Sequence, residues 1–377
     1  MSQAPFRYDI VGSFLRPQEV KDARAAFEAG KISKEDLRAI EDKAIKELVE
    51  KEKKVGLKAV TDGEFRRAFW HIDFLEELIG VNETKAETWS TQFKGHNPKA
   101  LTLKVEGKID FSENHPHLAD FKYLKSIAGD DVVAKMTIPS PSMLYHIVAV
   151  RGAADYQPID RYKDDQVFFD DLADTYIKAV HAFYNAGCRY LQIDDTSWGE
   201  FCDSEKVKGF KANGVDTEKV QEKYVEVINK IVAAKPADLT LTLHICRGNF
   251  RSTYFSSGAY DAVAELLFGH CHVDGFFLEF DTDRSGTFAP LAKIKDQKVV
   301  LGLVTSKFPE LEDPDQVKAR IKDAEQYISK DQLCLSPQCG FSSTEEGNEL
   351  LDGGQWKKLP SLRKLPKMFG KTHNNAL

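Results

Sequence analysis

Cysteine is scarce. The six in 377 residues, at positions 188, 202, 246, 271, 334 and 339, are too thinly spread for the disulfide framework of a small secreted fold, which leaves free thiols or metal ligands. Positive charge is not in excess either. A formal net charge of −7 gives no broad attraction to phosphate backbones or anionic membranes, so nucleic acid is not an expected partner. No apolar run reaches the roughly 18 residues of a membrane span, and "MSQAPFRYDI" lacks the basic segment and apolar stretch of a secretory leader. The expectation is a cytoplasmic protein without a membrane partner. Low-complexity runs, long Pro/Gly linkers and internal repeats are also missing, so the simplest division is one domain over 1–377.

What is present is a large core and a rhythm. Hydrophobic residues make up 42% of the chain and charged ones 29%, a balance that excludes wholesale disorder. Short β-branched runs alternate with longer charged segments of helical period, the pattern of a parallel sheet. The expected strands are 8–13, 58–64, 132–140, 189–195, 239–246, 275–281, 298–304 and 333–340. Helices are expected between them. "SKEDLRAIEDKAIKELVEKEKKVG" opens with a Ser–Glu capping box at Ser33 and closes on Gly56, and "FFDDLADTYIKAVHAFYNAG" and "DPDQVKARIKDAEQYI" follow the same design. Eight strand and helix units predict an α/β fold, a single (β/α)8 TIM barrel with its chemistry at the C-terminal strand ends. Residues 80–130 break the rhythm. There "ALTLKVEGKIDF" alternates like a hairpin, which predicts an insertion between strands two and three near the barrel mouth, a candidate lid.

The strand ends carry the polar residues. "LTLHIC" places His244 and Cys246 two apart, hence on one face if the strand end stays extended. In a closed barrel Glu279 and Cys339 converge on the same mouth. Two thiolates, an imidazole and a carboxylate suit zinc better than magnesium or calcium. Asp281 rivals Glu279 for the carboxylate position. His270, Cys271 and His272 precede a strand and fall at the opposite face, while Cys188 and Cys334 read as core or surface thiols.

With those residues in hand, the chain resembles the cobalamin-independent methionine synthase family, in its catalytic C-terminal barrel and short stand-alone homologues. The motifs are "VGSFLRP" (11–17), "TDGEFRR" (61–67), "QIDDTSWGE" (192–200), "HIC" (244–246), "LEFD" (278–281) and "PQCG" (337–340). The resemblance implies a methyltransferase that holds Zn2+ through His244, Cys246, Glu279 and Cys339. It implies homocysteine bound by the turn of Gly12 and Ser13 with Glu64 and Asp194, and methyl transfer from 5-methyltetrahydrofolate to give methionine. Tyr145 and Glu200 fall at family positions that contact the pterin.

The family's proton-donating histidine falls near Thr305, in "LGLVTSKFPELED". A hydroxyl is too weak an acid for that task. Lys307 is a nearby alternative, although its ammonium would have to acidify by several units. Two rival readings follow: alkyl transfer to another thiol, as in epoxyalkane:coenzyme M transferases with Arg16, Arg66 and Arg67 serving a sulfonate, or a non-catalytic zinc and thiol binder.

Overall fold

The computed structural model describes residues 4–85, 93 and 101–364. Nine strands occur among them: β1 (Ala59–Val60), β2 (Ile79–Lys85), β3 (Leu101–Asp110), β4 (Val133–Pro139), β5 (Tyr190–Asp195), β6 (Thr240–Ile245), β7 (Gly275–Glu279), β8 (Lys298–Val304) and β9 (Leu333–Pro337). Seven form one parallel sheet in the order β1-β4-β5-β6-β7-β8-β9, and β2 pairs antiparallel with β3. Neighbouring strands in the sheet are joined by helices. This is a curled parallel α/β sheet, with seven registered strands where eight were expected.

The difference lies at the first expected strand. Residues 8–13 make only isolated parallel bridges, Tyr8 with Leu335 of β9 and Ser13 with Gly63 just past β1. Asp9 explains the interruption, because its carboxylate accepts from the backbone N–H groups of Phe6 and Ile10. Those donors are diverted from a ladder. Gly12 adds a bend at φ 152°, where a Cβ would meet Thr137 Cγ2 at 2.7 Å. The second expected strand is cut short for a similar reason: Glu52 accepts from the Thr61 N–H and Asp62 from that of Glu64.

The helix Lys34–Lys54 is capped by Ser33 as expected, but the reciprocal partner is Asp36, since the third helical residue is the one that reaches back to the cap. Its buried side chains, among them Ile45, Leu48 and Val49, join a core continuous with the strands and with the helices Asp165–Asn185 and Thr217–Ala234. Burying such a side chain contributes roughly 1.5–3 kcal/mol. Inside the sheet's curl lies a polar lock, Lys135 Nζ 3.6 Å from Asp9 and Tyr190 donating to Asp9 at 2.9 Å. No helix among the described residues is long and apolar enough to cross a membrane.

The insertion contains the expected hairpin, β2 and β3, followed by the helix Pro116–Ala128. Residues 86–92 and 94–100 of it lie outside the described residues. Phe93 packs at 5.2 Å on both Phe250 and Phe255, which ties the insertion to the loop after β6.

Candidate active site

Four side chains from three strand ends meet. The ligand atoms of His244, Cys246, Glu279 and Cys339 all lie within 4.8 Å of one another and all four residues are buried. His244 ends one strand face of β6 with its Nδ1 3.2 Å from the Phe277 carbonyl, which assigns the proton to Nδ1 and turns Nε2 inward. That Nε2 is buried without a hydrogen-bond partner. Cys246 Sγ and Cys339 Sγ are 3.4 Å apart. The hydrogen bond between them holds the Cys339 thiol well below its ordinary range and pushes Cys246 well above it, so the pair shares one proton.

Glu279 is anchored on two sides. Its Oε1 accepts from the Arg247 N–H at 3.2 Å and its Oε2 from Arg284 at 2.9 Å. Burial pushes this carboxyl up, but Arg284, Lys307 and Arg247 outweigh it and keep it below the usual carboxylate range. Asp281 stands outside the cluster, paired with Arg284 at 2.8 Å. The donor set fits a thiophilic dication: an orphaned imidazole nitrogen, two adjoining sulfurs and an ionised carboxylate.

The cluster opens onto a cavity, partly open to solvent, that His244, Cys246 and Cys339 line together with Ser13, Glu64 and Asp194. Glu64 stands at φ 60°, a left-handed backbone that costs a non-glycine residue roughly 1–3 kcal/mol. Asp62 fixes the turn by accepting from the Glu64 N–H at 2.9 Å. The Glu64 carboxylate takes Thr137 on Oε1 at 2.8 Å and leaves Oε2 buried and unpartnered. Burial raises its pKa, and burial raises that of Asp194 to about 7. Gly12 is not part of the lining; its carbonyl accepts from Thr61. Ser13 approaches Gly340 so closely that a Cβ there would lie 1.9 Å from Ser13 Oγ.

Other expected site residues lie elsewhere. Tyr145 does not line the cavity: its ring is packed among Phe168, Phe169 and Tyr224, because the helix Ser142–Tyr145 turns it into the core. Glu200 is also behind the wall, its carboxylate taken by Arg151 and by His146 Nε2 at 3.2 Å. Thr305 lines a different cleft, with Asp281, Arg284, Glu310 and Glu312, so it is no replacement for an acid facing the cluster. Lys307 lines that same cleft, its ammonium bonded to the Gly248 carbonyl, Asn249 Oδ1 and the Thr253 carbonyl.

The three arginines considered for a sulfonate are consumed internally. Arg16 donates to four backbone carbonyls, Arg66 pairs with Glu41, Asp42 and Asp120, and Arg67 binds the Thr137 carbonyl and Glu64. Sequence reasoning missed Trp70, His71 and Arg151, which all line the cavity. Trp70 and His71 lie three and four residues past the end of the "TDGEFRR" motif, and that proximity was the available signal.

The model of the family described as cobalamin-independent synthase, catalytic domain, matches residues 8–350. The chain belongs to this family of methionine synthase-like methyltransferases. Among its relatives, the uncharacterized protein YxjG of Bacillus subtilis is 52% identical over 94% of this chain and 92% of its own. A methionine synthase of Saccharolobus solfataricus is 25% identical over 88% of this chain and 87% of its own. A Listeria monocytogenes protein assigned as a vitamin-B12 independent methionine synthase has a solved structure with TM-score 0.79 at 42% identity, covering 99% of this chain and 100% of its own. A B12-independent methionine synthase from Shewanella sp. W3-18-1, at 17% identity and TM-score 0.69 over 97% of this chain and 98% of its own, shares the fold.

Proposed function

We propose that this member of the family is a cytoplasmic, zinc-dependent methyltransferase that converts homocysteine to methionine with 5-methyltetrahydrofolate as methyl donor. The observation that carries the reading is one cavity lined by three members of the four-donor cluster, His244, Cys246 and Cys339, and by two buried carboxylates, Glu64 and Asp194. We take the whole chain as one catalytic unit and residues 8–13 as the eighth element that closes the sheet into a barrel.

His244, Cys246, Glu279 and Cys339 would hold the metal. Zn2+ bound there supplies a thiolate at neutral pH from a substrate thiol that is otherwise mostly protonated. The protein's own groups do the rest of the positioning. Glu64 Oε2, lacking any partner of its own, and Asp194 accept the amino acid's ammonium, while the Ser13 hydroxyl and nearby backbone N–H groups receive its carboxylate. Two carboxylates at this end suit an ammonium-bearing thiol and repel a sulfonate, which favours homocysteine over a coenzyme M-like thiol.

The test is methionine formation by zinc-loaded protein given homocysteine and mono- or polyglutamylated 5-methyltetrahydrofolate. Product from either folate supports the reading. Homocysteine binding without any product from folate removes the donor, and absence of both leaves a zinc binder without this activity.

A further inference from the structure

Resting on the proposed methyl transfer, we infer that Arg151 and His71 form a receptor for an anionic or carbonyl oxygen of the methyl donor in the cavity they line. Arg151 ends a π-helical stretch, His146–Arg151, a rare winding that shifts the register of a side chain and recurs at functional sites. Its guanidinium is fixed before any ligand arrives. Nε donates to Glu200 Oε1 at 2.9 Å, and Nη2 donates to the same carboxylate and to Thr196 Oγ1 at 2.9 Å. Nη1 has no hydrogen-bond partner among the described residues, and Arg151 lines the cavity.

The charges behind Arg151 do not cancel it. Glu200 is shared with Lys206 at 3.8 Å, and both cations lie over the Phe255 ring, at 5.5 Å for Arg151 and 4.7 Å for Lys206. One carboxylate between two cations leaves a local positive excess. His146, also on Glu200, does not add to it, because burial lowers its pKa and favours the neutral ring. Glu64 and Asp194, which line the same cavity, supply its acidic groups. A ligand pair with an ammonium on one partner and an oxygen anion or carbonyl on the other finds a group of matching charge for each in this cavity.

His71 supplies an independent observation. It lines the same cavity, its Nδ1 is buried without a partner, and its ring is stacked on Trp70 at 4.4 Å with 15° between planes. Burial and the charge of Arg151 hold it down to about 3, so it is a neutral imidazole that offers one donor or one acceptor. Trp70 presents an aromatic slab beside it. A charged fork, a neutral ring nitrogen and a flat apolar wall together select a planar, oxygen-bearing ligand and make Arg151 a specificity-determining residue.

The experiment titrates zinc-loaded protein with 5-methyltetrahydrofolate and, separately, with homocysteine by calorimetry, in wild type, Arg151→Gln, Arg151→Lys and His71→Asn. Arg151→Lys keeps a charge against Glu200 should the glutamine variant fail to fold. The expected result is at least a tenfold loss of folate affinity in Arg151→Gln, a smaller loss in Arg151→Lys and His71→Asn, and unchanged homocysteine affinity in all three. Equal folate affinity in wild type and the variants overturns the inference and leaves the proposed function standing. A tenfold loss of homocysteine affinity instead assigns Arg151 to the thiol and also overturns it. A wild-type protein that does not bind folate overturns the donor reading and this inference with it.

Discussion

Cys246 and Cys339 lie 93 positions apart in sequence and 3.4 Å apart at their sulfurs. Such an approach of two buried thiols is favourable only when they share a proton or a metal, because two free thiolates would repel in a low-dielectric site. Cys246→Ser is therefore expected to lose stoichiometric zinc while keeping its far-ultraviolet circular dichroism. Metal analysis after gel filtration reads this, and a variant that still carries one tight zinc would remove Cys246 from the site.

Glu64→Gln keeps an acceptor for Thr137 but deletes the negative charge. Homocysteine affinity should fall by about 1.5–3 kcal/mol, the usual worth of a hydrogen bond to a charged group. Zinc content should not change. Calorimetric titration decides it, and affinity equal to wild type would leave the ammonium to Asp194 alone.

Thr305→Val is expected to leave the turnover number for methyl transfer unchanged, since Thr305 faces the second cleft. Losing a general acid costs on the order of a hundredfold or more. A drop of that size in steady-state assays would put Thr305 back in contact with the reaction.

Stability should fall as the pH drops below 6.5. His115 is buried, and burial lowers its pKa from 6.5 to about 4 in the folded chain. Below 6.5 the unfolded chain takes up a proton that the folded chain does not, so stability is lost until about pH 4 is reached. Between pH 6.5 and 5 this one residue costs about 2 kcal/mol. His115→Asn, which retains a capping side chain for the helix Pro116–Ala128, should lose that much less over the same range in urea titrations. Parallel pH profiles would show that His115 titrates alike in the folded and unfolded chains.

Much of this was legible because strand ends announce themselves. Runs such as "LTLHIC" and "GFFLEFD" are apolar until their last residues, and the register of β6 beside β7 carries His244 and Glu279 to one mouth. Asp281 was a fair rival on paper, since it lies two residues beyond Glu279; Arg284 pairs with both, and only the approach of Glu279 to His244, Cys246 and Cys339 separates them. The first strand misled because its Asp9 looked like an ordinary polar position, yet its carboxylate captures the donors the ladder needed. Tyr145 misled for another reason. A motif position gives a side chain's place in the chain but not its direction, and the turn into Phe168 and Phe169 is decided by packing. Arg151 left no trace in any spacing, because the winding that aims it is a feature of the backbone.

The donor cluster draws on β6, β7 and the segment past β9, so Cys339 is the last of the four donors in chain order. A nascent chain that has emerged only through β8 holds three of the four donors and no closed site. The four-donor cluster exists only once β9 has taken its place beside β8, and a chain without that segment retains a lone thiol at Cys246 in place of the proton-sharing pair.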